Sequence, residues 1–440
     1  MTHPAGELRR ELGLLDATMI NVGTMIASAI FIVPADVAAA VHGIGLMTTV
    51  WVLGGVISLL GALSVAELAA AYPEAGGQYA YLREAYGPVW GFLYGWSGFL
   101  VINPASIAAI AVGFARYIGF FVSLSDVAIR AVAVLSIVVL TALNCRGLRL
   151  GATTQNILTV LKIGALVALV GTAFLLPGGS PENLSGLWPQ GPAASWIGPF
   201  GVAMVAVLWA YDGWIETTYV GSEIKDPGRN LPRSIILSTL IIIVLYTTVS
   251  FAYAYVLSPE RMAGSKLVAS DAAAVVLGSA GAALVAGAIL VSTLGANNGI
   301  ILTAARIPYA MARGGLFFRS QGRVHPRFAT PVVALATQGV ISAVLAASGT
   351  YTTLITYVVF ASFLFYGLSA AAVIRLRRSA PELPRPYRVW GYPITPLVFI
   401  AFAIWLVANT IIETPRESAV GAGLIVLGLP GYWYWRRKTA

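Results

Sequence analysis

The sequence is short of charge, cysteine and histidine, and each shortage excludes a class of protein. Charged residues make up 10% of the 440 residues, against about 25% in soluble proteins, whose surface faces water. The one cysteine, Cys145, excludes an intramolecular disulfide, and the three histidines are scattered without the spacing of a metal site. The sequence offers neither a nucleophile with a matching general base nor a group of metal-ligating residues. The sequence therefore predicts no enzyme and no cofactor.

Long apolar runs take the place of the missing charges. Hydrophobic residues make up 58% of the chain and form runs such as 235–257 and 396–412. About twenty apolar residues are needed for a helix to cross the ~30 Å hydrocarbon layer, and the runs lack the alternation of a transmembrane β-strand. We predict an all-α polytopic membrane protein with about twelve spans, numbered in chain order. The predicted spans are 14–41, 44–70, 86–118, 126–144, 153–177, 196–222, 233–257, 270–312, 331–348, 352–376, 392–412 and 417–435.

The positive net charge of +9 is an orientation signal rather than a nucleic-acid footprint. Most of the lysines and arginines fall on alternate connections between spans. Because positive residues accumulate on the cytoplasmic side, this asymmetry predicts an even number of spans in the inner (plasma) membrane, with both termini and the 380–392 loop in the cytoplasm. Nucleic acid is not an expected partner, and the lipid bilayer is.

A Gly- and Pro-rich segment at 177–195 divides the first ten spans into two sets of five. Because five is an odd number, the second set crosses the membrane in the opposite direction to the first, as in an inverted repeat. We predict one transmembrane transporter domain over 1–440. It comprises a first repeat at 14–177, a second repeat at 196–376 and two accessory helices at 392–435.

The first span of each set looks interrupted. Span 1 carries small and polar residues at 23–29, followed by Pro34, and span 6 carries Tyr211-Asp212-Gly213 at its middle. Small residues in membrane helices also serve close packing. Interruptions at corresponding positions of two repeats favour a binding site instead, since broken helices expose N–H groups to an anion and carbonyls to a cation.

At these residues the sequence resembles the amino acid–polyamine–organocation (APC) superfamily and, within it, the L-type amino acid transporters and their bacterial relatives. The similarity covers nearly the whole chain. The stretches that carry it are 23–31, 66–68 with 72–79, 210–214 with 223–232, and Asn298-Gly299 with Arg306 and 324–327. The resemblance implies a LeuT-type fold, which has five plus five inverted spans and two extra helices.

The resemblance also implies a site for an amino acid in the two interrupted spans. The substrate's carboxylate is expected on backbone N–H groups of Ala27, Ser28 and Ala29. Its ammonium is expected on carbonyls of Met25, Ile26, Trp209 and Asp212. Trp209 also matches an aromatic residue that covers the substrate from outside, and Ala210 and Tyr211 complete the predicted set. Facing half-helix ends suit a zwitterion, because they supply both signs without charged side chains.

One departure concerns the carboxylate loop, where the family usually has Gly-Ser-Gly and this chain has Ala27-Ser28-Ala29. Glycine lets a ligand approach the backbone more closely than alanine does. The two extra methyl groups are expected to narrow the site.

Lys162 is a basic residue that lies within a predicted span. At 1.5 Å per residue it lies ~12 Å from the cytoplasmic end of the predicted span 5, so it either faces the bundle interior or snorkels to the interface. The resemblance implies the first, because sodium-independent members place a span-5 lysine where sodium-coupled relatives bind a cation, bridging spans 1 and 8. Asn298 in span 8 is a family position that is expected near the substrate or near Lys162, with a role in coupling or gating. Asp212 either caps the lower half of span 6 or binds a proton or an amine.

The resulting functional hypothesis is a sodium-independent carrier of small neutral amino acids that works by exchange or proton symport. The rival is an amine or polyamine antiporter of the same fold, in which Asp212 and Glu216 supply the extra anions. No disulfide-linked partner is expected, because Cys145 lies at the predicted cytoplasmic end of span 4, whereas the family's heavy-chain partners attach through an external cysteine.

Overall fold

The structure is a computed structural model that describes residues 7–186, 188, 192–349 and 351–439, without the side chains of 193–194, 351–357, 359 and 439. Within these ranges the regular structure is helical, apart from three isolated β-bridges. Residues 1–6 and 440, on which the prediction about the termini falls, lie outside the described residues.

Eight helical segments in the described residues are long and apolar enough to cross a membrane, and they correspond to predicted spans 2, 3, 4, 5, 7, 8, 10 and 11. Their bounds are Ile44–Ala71, Pro88–Ile118, Asp126–Cys145, Leu148–Leu175, Pro227–Val256, Ser279–Arg313, Phe360–Ser379 and Ile394–Glu413. Span 10 belongs to a longer helix, Tyr351–Ser379. Large apolar side chains on these segments, among them Val138, Ile157 and Val244, are exposed on the outer surface, as lipid contact requires.

The four remaining spans are shorter or interrupted, which brings the total to the predicted twelve. Span 9 is one short helix, Val332–Ser348, and the other three consist of separate pieces. These pieces are Leu14–Met25, Ala29–Phe31 and Val33–Ala40 for span 1, Ile197–Ala210 and Glu216–Tyr219 for span 6, and Pro415–Val426 and Gly428–Thr439 for span 12. The connections contain the short helices Gln78–Tyr86, Pro259–Ala263 and Val268–Leu277 and the 3₁₀ turns Pro181–Leu184, Ala193–Trp196, Gly221–Glu223 and Arg319–Gly322.

Three predicted starts of spans were wrong by five residues or more. Span 7 begins at Pro227 rather than 233, and a glycine accounts for each of the other two. Span 5 begins at Leu148 rather than 153, directly after Gly147, whose φ is +148°. Lys162 is therefore fourteen residues, or ~21 Å, from the start of its helix. Predicted span 8 began at 270, but Gly278, with φ of +66°, separates the helix Val268–Leu277 from the span that begins at Ser279.

The interrupted span 1 lies inside the bundle, where it contacts spans 5, 7 and 8. Spans 5 and 8 also pack against each other, and span 2 packs along span 7. The break in span 1 is thus surrounded by helices on several sides, and its unpaired backbone groups are kept from lipid. The boundaries of the two repeats remain a prediction.

Candidate transport site

The break in span 1 leaves backbone N–H groups free at the middle of the bundle. Helical structure ends at Met25 and resumes at Ala29. The Ala27 N–H donates to the Met25 carbonyl at 2.8 Å, but the N–H groups of Ser28 and Ala29 have no acceptor among the described residues. Unpaired donors at a helix start favour a negatively charged group.

The break in span 6 lies against the break in span 1. Its helix ends at Ala210 and resumes at Glu216. Gly213 between them has φ of +115°, and a Cβ built there would lie 3.1 Å from the Met25 nitrogen. Glycine is required on both counts, since other residues rarely adopt this φ and a side chain would press on span 1.

A cavity of about 120 Å³ lies between the two breaks. Spans 3, 8 and 10 and the start of the helix Gln78–Tyr86 complete its walls. The predicted site residues that line it are Met25, Ala27, Ser28, Ala29, Trp209 and Asp212. Trp209 combines this position with 43% exposure of its surface.

The other three predicted substrate residues do not line the cavity. Ala210 and Tyr211 are buried, and the Tyr211 hydroxyl donates to the Trp51 carbonyl at 3.1 Å. The Ile26 carbonyl already accepts hydrogen bonds from Lys162 and Ser292. A direct substrate contact by these three residues remains a prediction that the cavity walls do not support.

Lys162 reaches span 1 and span 8 at once. Its Nζ donates to the carbonyls of Gly23 at 2.6 Å, Ile26 at 2.8 Å and Ser292 at 2.9 Å, and its side chain is fully buried. The Ser292 hydroxyl adds bonds to the carbonyls of Ile26 and Ala27. All three ammonium donors are thus used, and the side chain does not snorkel towards the membrane surface.

Asn298 lies in a separate polar network, outside the cavity walls. Its Oδ1 accepts from Asn144 Nδ2 at 2.9 Å, and its Nδ2 donates to Gln155 Oε1 at 2.9 Å and to the Gly151 carbonyl at 3.2 Å. Gln155 lies two turns before Lys162 on span 5. Asn298 therefore joins spans 4, 5 and 8 below the lysine rather than contacting it.

The two acids of span 6 both line the cavity and both accept a hydroxyl hydrogen bond. Tyr366 donates to Asp212 Oδ1 at 2.7 Å, and Thr303 donates to Glu216. The expectation that Asp212 caps the lower half of span 6 was wrong. That piece begins at Glu216 with Ile215 as its N-cap, and no side chain caps it.

The remaining buried acids form ion pairs away from the cavity. Arg306 binds both carboxylate oxygens of Glu223 at 2.8 Å. Glu67 of span 2 accepts two hydrogen bonds from Arg377, at 2.8 and 2.6 Å. These pairs fix helices and loops on the predicted cytoplasmic side of the bundle.

Comparison with known proteins identifies the family. Residues 12–434 match the amino acid permease family. The chain belongs to this family.

The permease is also similar in sequence to individual transporters along nearly its whole length. It is 33% identical over 426 residues to the b(0,+)-type amino acid transporter 1 of Mus musculus, covering 96% of this chain and 86% of that one. It is 32% identical over 452 residues to the large neutral amino acids transporter small subunit 2 of the same species (98% and 82%). It is 30% identical over 436 residues to the serine/threonine exchanger SteT of Bacillus subtilis (strain 168), covering 98% of both chains.

These likenesses confirm the predicted APC superfamily and its L-type branch. The permease is a multi-pass membrane transporter of amino acids, not an enzyme. One relative is by name a small subunit. That this permease lacks a disulfide-linked partner therefore remains a prediction, which rests on the half-buried Cys145 at the end of span 4.

Several cavity residues were missed in the sequence. Tyr366 bonds Asp212, and the hydroxyls of Tyr94 and Tyr219 lie 2.7 Å apart at the cavity wall. A tyrosine within an apolar span was the signal in the sequence that could have indicated these residues, because a buried phenol usually needs a hydrogen-bond partner. That signal does not say which partner, since Tyr366 and Asp212 are 154 residues apart in the chain.

Proposed function

We propose that the permease is a sodium-independent carrier of small neutral amino acids that works by alternating access, through exchange or proton symport. The observation that carries this proposal is the position of Lys162. Its ammonium joins carbonyls of span 1, at Gly23 and Ile26, to a carbonyl of span 8, at Ser292. A fixed positive charge can hold the two spans together as a bound sodium ion does in coupled relatives, with no ion taken from solution.

The cavity suits an amino acid zwitterion. The N–H groups of Ser28 and Ala29, which have no acceptor among the described residues, are proposed to bind the carboxylate, whereas the N–H of Ala27 is already used within the loop. The Asp212 carbonyl, which accepts no hydrogen bond from the described residues, is proposed to bind the ammonium. The carbonyls of Met25 and Trp209 already accept hydrogen bonds, from Ala27 and Tyr246 and from Asp212 respectively. Both charges of the substrate are then compensated, as burial requires.

The size of the cavity favours a small substrate. An engineered protein cavity of about 150 Å³ holds benzene, which has six heavy atoms. The present cavity of about 120 Å³ is therefore of the size that alanine or serine needs, and a large aromatic amino acid requires the walls to move. One relative is by name a serine/threonine exchanger, which also favours a small substrate and exchange.

A second candidate, an amine or polyamine antiporter, is favoured by the carboxylates of Asp212 and Glu216, which both line the cavity. Two acids are suited to bind a second ammonium. Each carboxylate already accepts a hydroxyl hydrogen bond, however, and the cavity is short for an extended polyamine.

A thermal-shift screen of the purified protein in sodium-free buffer tests the proposal. A ligand that binds only the folded state raises the unfolding temperature. We expect the largest shifts from alanine, serine and other small neutral amino acids, and no further shift when sodium is added. Shifts from polyamines alone would support the antiporter, and shifts that require sodium would contradict the role proposed for Lys162.

A further inference from the structure

A further wall of the cavity combines apolar residues with hydroxyl groups and contains one asparagine. This wall comes from spans 3, 8 and 10, with Ile102, Ile110, Ile300 and Val358 among its residues. Asn103 of span 3 lies among these residues. If the charged ends of an amino acid bind at spans 1 and 6, its side chain is left to face this wall.

The local backbone fixes the orientation of Asn103. Span 3 contains one π-helical turn, Gly98–Ile102, directly before Asn103 and Pro104. The backbone N–H of Asn103 and its side-chain Nδ2 both donate to the Gly98 carbonyl, the latter at 2.8 Å. The proline supplies no N–H to the preceding turn, and π-turns are frequent at functional sites.

This arrangement leaves the amide oxygen of Asn103 as an unused acceptor. Asn103 is 6% exposed, and its Oδ1 accepts no hydrogen bond from the described residues. The nearby Ser106 already donates its hydroxyl proton to the Ile102 carbonyl at 2.8 Å, so it does not supply a donor to Asn103. Since no described residue donates to it, Oδ1 is available to a donor among the contents of the cavity.

We infer that Asn103 Oδ1 accepts a hydrogen bond from a hydroxyl on the substrate's side chain, and so selects hydroxylated amino acids over their apolar isosteres. This inference rests on the proposed function, because it requires an amino acid in the cavity. Serine and threonine satisfy Oδ1, whereas alanine and valine displace water from it and leave it unpaired. Sites built to bind a hydroxyl reject analogues that lack one for this reason.

Competition binding to the purified full chain tests the inference with two matched pairs, serine against alanine and threonine against valine. In the unmodified protein we expect serine and threonine to bind at least about tenfold more tightly than their partners. In Asn103→Ala both ratios fall to within about twofold of one, because alanine and valine no longer leave an amide oxygen unpaired and serine and threonine lose their acceptor. Asn297→Ala is the control, because Asn297 is buried in span 8 but does not line the cavity, and it keeps both ratios.

A second variant covers the case in which Asn103→Ala does not fold. In Asn103→Leu the side-chain volume is nearly kept, while no polar atom is left to accept a hydrogen bond from the substrate. Its expected ratios are also near one. Equal affinities within each pair in the unmodified protein, or unchanged ratios in either folded variant, would overturn the role of Asn103 and leave the proposed function standing. Failure of every amino acid to bind would instead overturn the proposed function.

Discussion

At the scale of single residues, Trp209 is proposed to cover the substrate. It lines the cavity and keeps 43% of its surface exposed. Trp209→Ala should weaken substrate binding by about tenfold, or ~1.4 kcal/mol, while folding and membrane insertion are retained. Equilibrium binding measures the change.

Trp405→Ala is the matched control for this substitution, because Trp405 lies on span 11 at similar exposure, 42%, and does not line the cavity. It should leave affinity unchanged. Unaltered binding and transport kinetics in Trp209→Ala would exclude Trp209 from the site.

The alanines of the span 1 loop are the second residue-scale feature. Ala27 and Ala29 line the cavity on either side of Ser28, at positions where the APC superfamily usually has glycines. Removing both methyl groups in the double variant Ala27→Gly, Ala29→Gly should enlarge the cavity and admit bulkier amino acids. A competition series from alanine to leucine measures this, and a substrate ranking that stays the same would show that the loop does not limit size.

At the scale of elements, the buried pair of Arg306 and Glu223 joins span 8 to the loop after span 6. The side chains are 1% and 0% exposed, and the Glu223 carbonyl also accepts N–H groups of Glu11 and Leu12, just before span 1. Glu223→Ala leaves a buried guanidinium unpaired, which typically costs about 3–5 kcal/mol. We expect the thermal unfolding midpoint in detergent to fall by several degrees.

The exposed pair of Glu74 and Arg83 provides the control for Glu223→Ala. Its side chains are 50% and 26% exposed, and surface ion pairs contribute at most about 1 kcal/mol. Glu74→Ala should therefore barely change the midpoint. Equal midpoints for Glu223→Ala and the unmodified protein would show that the buried pair does not stabilise the bundle.

The elements also show how far the sequence allowed prediction. The breaks in spans 1 and 6 were predictable, because small residues, Pro34 and Gly213 mark them directly in the sequence. The start of span 5 was not, since Arg149 makes its first turn look like a loop, although the helix continues through it.

Side-chain partners were the least predictable part of the site. Aspartate often caps helices, yet Asp212 accepts a hydrogen bond from Tyr366 on span 10. Only the tertiary fold determines this contact. In the same way, Asn103-Pro104 in the sequence indicates only a proline kink in the helix. The π-turn before it is visible only in the structure.

At the scale of the whole molecule, the orientation in the membrane remains a prediction from charge. Single cysteines in a Cys145→Ser background test it, since Cys145 is the one native cysteine. A membrane-impermeant thiol reagent added to intact cells should label position 185, in the predicted external segment, and should miss position 382, in the predicted cytoplasmic loop. Both Ser185 and Glu382 are exposed, so the reverse pattern would overturn the orientation.

Transport by the whole molecule is proposed to depend on Lys162 instead of sodium. Alternating access requires that span 1 be held against spans 5 and 8 in one state and released in another. In this structure, hydrogen bonds from the Lys162 ammonium to three carbonyls hold span 1 against spans 5 and 8. Loss of the ammonium should therefore change the balance of conformations more than it changes equilibrium substrate binding.

Uptake of labelled alanine or serine into sodium-free proteoliposomes tests this claim most directly, with and without an imposed pH gradient to separate proton symport from exchange. The unmodified permease should transport at the same rate whether sodium is absent or present. Lys162→Ala should lower uptake by about tenfold or more with a smaller loss of affinity, and Lys266→Ala, at an exposed lysine outside the bundle, should transport normally. Strict dependence on sodium, or full activity of Lys162→Ala, would contradict the account.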